Sequence, residues 1–94
     1  MRFQDQVVIV TGGGGGIGRT IALYFAGEGA RLVIGDVNVA GGEETVAMIR
    51  EKGREAIFVE SNVTKTEDAE KLVAGAMQTW GRVDVLVNNA GITR

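Results

Sequence analysis

Cysteine, histidine and proline are all missing from the 94 residues. Without cysteine there is no disulfide framework and no thiol nucleophile, and without histidine there is no imidazole base. Losing both residue types also removes the usual zinc ligands, so no metal site is expected. Acid–base chemistry inside this chain would fall to carboxylates, lysines or Tyr24, the single tyrosine. Strong charge is lacking too: ten basic and twelve acidic residues leave a formal charge of −2, which gives no electrostatic reason to expect nucleic acid or an anionic membrane as partner. No apolar run is long enough to span a bilayer, and Met1-Arg2-Phe3-Gln4-Asp5-Gln6 has no signal-peptide shape. A soluble cytoplasmic protein is expected, which makes the sequon Asn62-Val63-Thr64 a chance match.

Glycine, by contrast, is abundant. There are fifteen, five of them consecutive, so one loop requires close backbone approach or positive φ while the rest of the chain is regular. Apolar residues at 45% and charged residues at 23% suit a soluble globular domain and not a disordered one.

Short apolar runs alternate with amphipathic stretches along the chain. Val7-Val8-Ile9-Val10 is continuously apolar and β-branched, as in a strand buried on both faces of a parallel sheet. A helix is expected from near Ile17, with Ile17, Ile21, Ala22 and Phe25 inward and Gly27 and Gly29 as stop signals. Leu32-Val33-Ile34 reads as the second strand, closing at Gly35-Asp36. A helix over 40–52 follows, with Val46, Met48 and Ile49 turned inward and Gly53 as its stop. Ala56-Ile57-Phe58-Val59 makes a third strand. Thr66 suits the N-cap of a third helix, with Glu67 and Asp68 in its first turn, where negative charge favours the helix dipole. Ala69, Leu72, Val73, Ala76, Met77 and Trp80 mark its apolar stripe before Gly81. The fourth strand spans 83–87. This βαβαβαβ order predicts an α/β fold: a parallel sheet in the order 3-2-1-4 with helices on both faces, half of a doubly wound Rossmann fold.

Thr11-Gly12-Gly13-Gly14-Gly15-Gly16-Ile17-Gly18 joins a buried strand directly to a helix. In that setting main-chain N–H groups at the helix start can face a diphosphate, and the missing Cβ atoms let it approach. The run satisfies several patterns together: Gly13, Gly15 and Gly18 fit G-x-G-x-x-G, while Gly12, Gly16 and Gly18 fit T-G-x-x-x-G-x-G with Thr11. It comes within one residue of a P-loop, but Arg19 stands where lysine is needed, and a guanidinium does not replace a compact ammonium there. Asp36 follows 18 residues after Gly18 at the end of the second strand. A carboxylate there can accept from the ribose hydroxyls of NAD and would repel a 2′-phosphate. The alternative is that Asp36 caps the next turn. Asn62, after the third strand, lies where open α/β sheets bind ligands, with an Asx turn as its alternative.

Thr11 to Gly18, Asp36, Asn62-Val63 and Asn88-Asn89-Ala90-Gly91 together resemble the short-chain dehydrogenase/reductase family. The resemblance implies a nicotinamide-dependent oxidoreductase in which Thr11 ties the glycine turn to the Asn88–Gly91 segment and Asn62 and Val63 flank the adenine. Asn89, Ala90 and Gly91 would lie along the cofactor, and Val37 beside Asp36 joins the same set. Asn62-Val63-Thr64 with Asn-Asn-Ala-Gly-Ile-Thr-Arg is similar to the 3-oxoacyl-acyl-carrier-protein reductase branch, which usually uses NADPH and often has a basic residue where Gly15 stands. The serine, tyrosine and lysine that the family uses in catalysis fall beyond residue 94, so residues 1–94 are expected to be a dinucleotide-binding half-domain, inactive alone, with no catalytic residue of its own. Tyr24, inside the first helix beside Phe25, is a helix residue on this reading. With the fourth strand at the sheet edge, self-association through that strand is expected. A non-catalytic, self-associating half-fold is the alternative function.

Overall fold

The computed structural model describes residues 1–62 and 65–89. Seven elements alternate: β1 (Val7–Thr11), α1 (Gly16–Gly27), β2 (Arg31–Asp36), α2 (Val39–Glu51), β3 (Ala56–Glu60), α3 (Thr66–Trp80) and β4 (Val85–Asn88). The strands form one parallel sheet in the order β3-β2-β1-β4, the order that the alternating pattern predicts. β1 is central and buried along its whole length, which is why its sequence shows no polar alternation.

Period-two alternation divides the core between the two faces. On one face Val8, Val10, Leu32, Ile34 and Ala56 meet Ala22 and Ala26 of α1 and Val46 and Ile49 of α2. On the other, Val7, Ile9 and Val33 meet Leu72 and Ala76 of α3, with Ile57, Val59 and Trp80 at its margin. The small residues of α1 matter: Gly18, Ala22 and Ala26 are its buried positions, spaced by four on one helical face, so the helix backbone sits close to the sheet.

Several local expectations are corrected. Ile17 does not face the core; it is 67% exposed. It belongs to the first turn of α1, which starts beyond the carboxyl end of β1, so no sheet lies beneath it. Gly27 is the last helical residue, and Gly29, at φ +92, makes the left-handed turn. In α2 Met48 is half-buried, whereas Thr45 is wholly buried. Thr66 is not an N-cap: Lys65 holds that position without a side-chain cap, and the nearby Asp68 carboxylate instead accepts the Asn62 N–H at 2.6 Å. In α3 only Leu72 and Ala76 are buried. Ala69, Val73 and Met77 stay exposed, because the sheet flank beside β4 carries no further layer among the described residues. β4 begins at Val85, two residues later than expected. The Asp84 carboxylate takes the Val7 N–H at 2.8 Å while the Asp84 N–H donates to the Val7 carbonyl at 2.9 Å, so one side-chain and one main-chain bond join the two residues just before the paired register begins at Val8 and Val85. Asp84 is held below the usual aspartate range, first by the hydrogen bond from Arg82 and then by that from Val7.

Candidate functional site at the glycine loop

The loop between β1 and α1 lies at the carboxyl rim of the sheet, where β1 and β2 end. Its first half is tied inward. The Gly12 and Gly13 N–H groups both donate to the Gly35 carbonyl, at 2.7 and 3.2 Å, and the Gly14 N–H donates to Asp36 Oδ2 at 2.8 Å. Its second half faces outward. Among the described residues no acceptor lies on the N–H groups of Gly15, Gly16, Ile17 or Gly18, the amides that a helix start leaves without an internal partner. Cβ atoms built on Gly15 and Gly16 would meet nothing within 4 Å. Those two glycines therefore line open space, and Gly16 (φ +55) also needs the left-handed conformation.

The remaining glycines answer to packing. A Cβ on Gly13 would lie 2.8 Å from Ile34, and one on Gly14 would lie 2.7 Å from Asp36 Oδ2. Gly18 is the most constrained: its Cβ would run into the Gly12 carbonyl and come within 2.8 Å of Asn89 Nδ2. Consecutive glycines thus serve two purposes, some seating the loop and α1 against the sheet and two leaving room outside it.

Asp36 does two things at once. Its Oδ2 holds Gly14, and its Oδ1 accepts the Asn38 N–H at 3.0 Å, an Asx turn leading into α2. The turn-capping alternative is therefore present, and each oxygen retains a second lone pair at a half-buried position. Val37 beside it is exposed. Asn38 caps α2 by accepting the Gly41 N–H at 3.0 Å.

On the other side of the loop, the Thr11 hydroxyl is shared between Asn88 Oδ1 at 3.2 Å and the Val87 carbonyl at 3.4 Å. Asn89, 8% exposed, donates from Nδ2 to the Gly12 carbonyl at 3.3 Å. The end of β4 is so joined to the start of the glycine turn, and Asn89 sits between Gly12 and Gly18. Asn62 is half-buried at the end of β3, and its carbonyl accepts the Lys65 N–H at 3.0 Å. Val63, Ala90 and Gly91 lie outside the described residues.

Sequence reasoning missed Arg19 and Thr45 as parts of this site. Thr45 Oγ1 lies 2.7 Å from the Gly13 carbonyl and accepts Arg19 Nε–H at 2.9 Å. Arg19 Nη2 lies 3.0 Å from the Gly14 carbonyl, 3.2 Å from that of Gly41 and 2.8 Å from Glu44 Oε1. The signal was Gly41-Gly42 in the first turn of α2, where glycine weakens a helix unless something approaches closely. A Cβ on Gly41 would strike the Gly14 carbonyl, and one on Gly42 the Phe58 ring.

A parallel sheet with a glycine turn after its first strand and an acidic residue ending its second defines a Rossmann-like, dinucleotide-binding class of fold. Within that class, the family model for short chain dehydrogenase matches residues 6–94, and the chain belongs to that oxidoreductase family. An uncharacterized oxidoreductase of Thermotoga maritima is 48% identical over 92 residues, spanning 98% of this chain and 36% of the relative. A short chain dehydrogenase from Mycobacterium avium superposes with a TM-score of 0.94 at 44% identity, covering 100% of this chain and 36% of that one. A short chain dehydrogenase/reductase from Burkholderia phymatum, solved in complex with NAD, superposes at 0.87 with 32% identity, over 92% of this chain and 31% of that one. The chain thus spans about a third of the length of these relatives. Among the described residues no helix is long and apolar enough to cross a membrane.

Proposed function

We propose that residues 1–94 form the dinucleotide-binding portion of an oxidoreductase, with NAD(H) as the ligand. What supports this most is the pairing of unclaimed Gly15, Gly16 and Ile17 amides with open space outside Gly15 and Gly16, beside the Asp36 carboxylate. Those amides suit a diphosphate, whose charge also favours the positive end of α1. Asp36 suits the adenosine ribose, accepting from its hydroxyls with the lone pairs that Gly14 and Asn38 leave over, and its charge disfavours a 2′-phosphate. The NAD bound to the Burkholderia phymatum relative agrees with this choice of ligand. Asn62 and Val63 on the adenine side, and Asn89, Ala90 and Gly91 on the ribose and pyrophosphate side, complete the proposed contacts.

When bound, the nicotinamide supplies hydride transfer to or from a carbonyl or alcohol carbon. This chain's own residues hold and orient the dinucleotide; none is assigned a proton-transfer step. Tyr24 is exposed on α1, packed edge-on against Phe25 with ring centroids 5.5 Å apart. Reduction of a 3-oxoacyl thioester is the substrate reading, and it rests on the Asn62–Thr64 and Asn88–Arg94 sequence motifs.

A second reading has its own observation. Leu86, at 60% exposure, stands on the edge strand and lines one cleft with exposed Val73, so the 94-residue chain would self-associate through β4. Titration with NADH, NADPH and ATP–Mg²⁺ tests the main proposal: tight binding of NADH alone is expected, and equal or tighter NADPH binding overturns the cofactor choice. A single monomeric mass by light scattering at micromolar concentration overturns self-association.

A further inference from the structure

We infer that Arg19 is a positioning residue that turns the Gly15 amide toward the diphosphate, and that Thr45 positions Arg19 and the peptide before it, an inference that rests on the dinucleotide-binding reading above. In a trans peptide the carbonyl and the following N–H point in opposite directions. Thr45 Oγ1 lies 2.7 Å from the Gly13 carbonyl on the α2 side of the loop. The Gly14 N–H of that same peptide therefore faces the other way and is taken by Asp36 Oδ2 at 2.8 Å. One peptide further on, Arg19 Nη2 holds the Gly14 carbonyl at 3.0 Å. The Gly15 N–H of that peptide is thereby sent away from α2, and no acceptor among the described residues takes it.

With no side chain on Gly13, Gly14 or Gly15, these peptide planes have little intrinsic preference. Their orientation comes from their hydrogen-bond partners: Thr45 and Asp36 on the two sides of the Gly13–Gly14 peptide, and Arg19 on the carbonyl of the next. Thr45 is a rigid post for this: it is fully buried, sits within α2, accepts Nε–H from Arg19, and its hydroxyl lies 2.7 Å from the Gly13 carbonyl and 3.2 Å from that of Gly41. Arg19 is steadied in turn by Glu44 at 2.8 Å and by the Gly41 carbonyl. The arrangement gives a reason for Arg19 that phosphate contact does not supply, since its guanidinium is engaged on α2.

The test compares wild type with Thr45→Val, Thr45→Ser and Arg19→Met in ¹⁵N-resolved titrations with NADH, ADP and adenosine. Thr45→Val keeps the shape and removes the hydroxyl. Thr45→Val and Arg19→Met are each expected to weaken NADH and ADP about tenfold, the scale of one buried hydrogen bond, while adenosine affinity stays within twofold. Thr45→Ser should restore both diphosphate ligands. A purely structural role would weaken all three ligands in parallel, and that result overturns the inference, as does unchanged NADH binding by both variants. Absence of NADH binding by the wild type would instead overturn the dinucleotide reading itself, and this inference with it.

Discussion

Replacing Gly18 by alanine introduces one methyl group where α1 crosses the glycine turn. That methyl would meet the Gly12 carbonyl, 2.7 Å from its carbon, and Asn89 Nδ2 at 2.8 Å. Neither neighbour is the free end of a flexible chain: one is main chain, and the other is a buried amide donating to that same Gly12 carbonyl. Relief requires α1 to move off the sheet, and overpacking of this kind costs about 2–3 kcal/mol. Alanine returns about 1 kcal/mol as the better helix former, leaving a net loss of about 1–2 kcal/mol. In a domain of this size that lowers the melting temperature by roughly 5–15 °C. Thermal unfolding followed by far-ultraviolet circular dichroism measures it, with Gly15→Ala as the matched control. Gly15 is extended at φ 171 and ψ 177 with nothing within 4 Å of its Cβ direction, so its variant should melt at or slightly above wild type, by the roughly 0.4–1 kcal/mol that Gly→Ala contributes through the unfolded chain. If Gly18→Ala melted with the wild type, α1 would not sit on Gly12 as described and the site geometry would be wrong.

Other substitutions probe different links. Asp36→Asn should weaken NADH about tenfold and raise NADPH affinity, moving the ratio of the two dissociation constants toward the phosphorylated cofactor; an unchanged ratio by fluorescence titration removes Asp36 from cofactor choice. Asn38→Ala removes the acceptor of the Gly41 N–H and should cost about 1 kcal/mol in urea unfolding, and a loss under a few tenths would show that the cap is idle. Asp84, whose carboxyl is held below the ordinary value of 3.8 by Arg82 and the Val7 N–H, contributes stability that is fully present above the unfolded-state pKa and lost as pH falls through the lowered folded value. Asp84→Asn should therefore flatten the acid side of the stability profile, and a side-chain ¹³C titration of Asp84 with its midpoint at or above 3.8 would contradict the assignment.

Much of the fold was legible because each strand's environment is written in its residues. Val7 to Val10 are apolar without alternation since β1 is covered on both faces, and that placed it at the centre of the sheet. Helix faces were less legible. Ile17 carries the right residue type at the right spacing, but helical period says nothing about where the underlying sheet stops. Val73 and Met77 fit the stripe of α3 equally well and remain exposed, since period marks a face without showing what covers it. In the site, the glycine run and Asp36 were visible because the chemistry of both is local in sequence. Thr45 was not, because its partners are Arg19 and Gly13, 26 and 32 residues away, and a buried threonine inside a helix looks like any other polar position until the loop is folded against it. The pair Gly41-Gly42 was the one trace of that contact left in the sequence.

The most direct measurement is a ¹H–¹⁵N correlation titration of the 94-residue chain with NADH. Amides at the start of α1 are the proposed grip on the diphosphate, so Gly15, Gly16 and Ile17 should show the largest saturable shifts, with smaller ones near Asp36. Saturable shifts confined to α3 and β4, or none at millimolar NADH, would contradict the account.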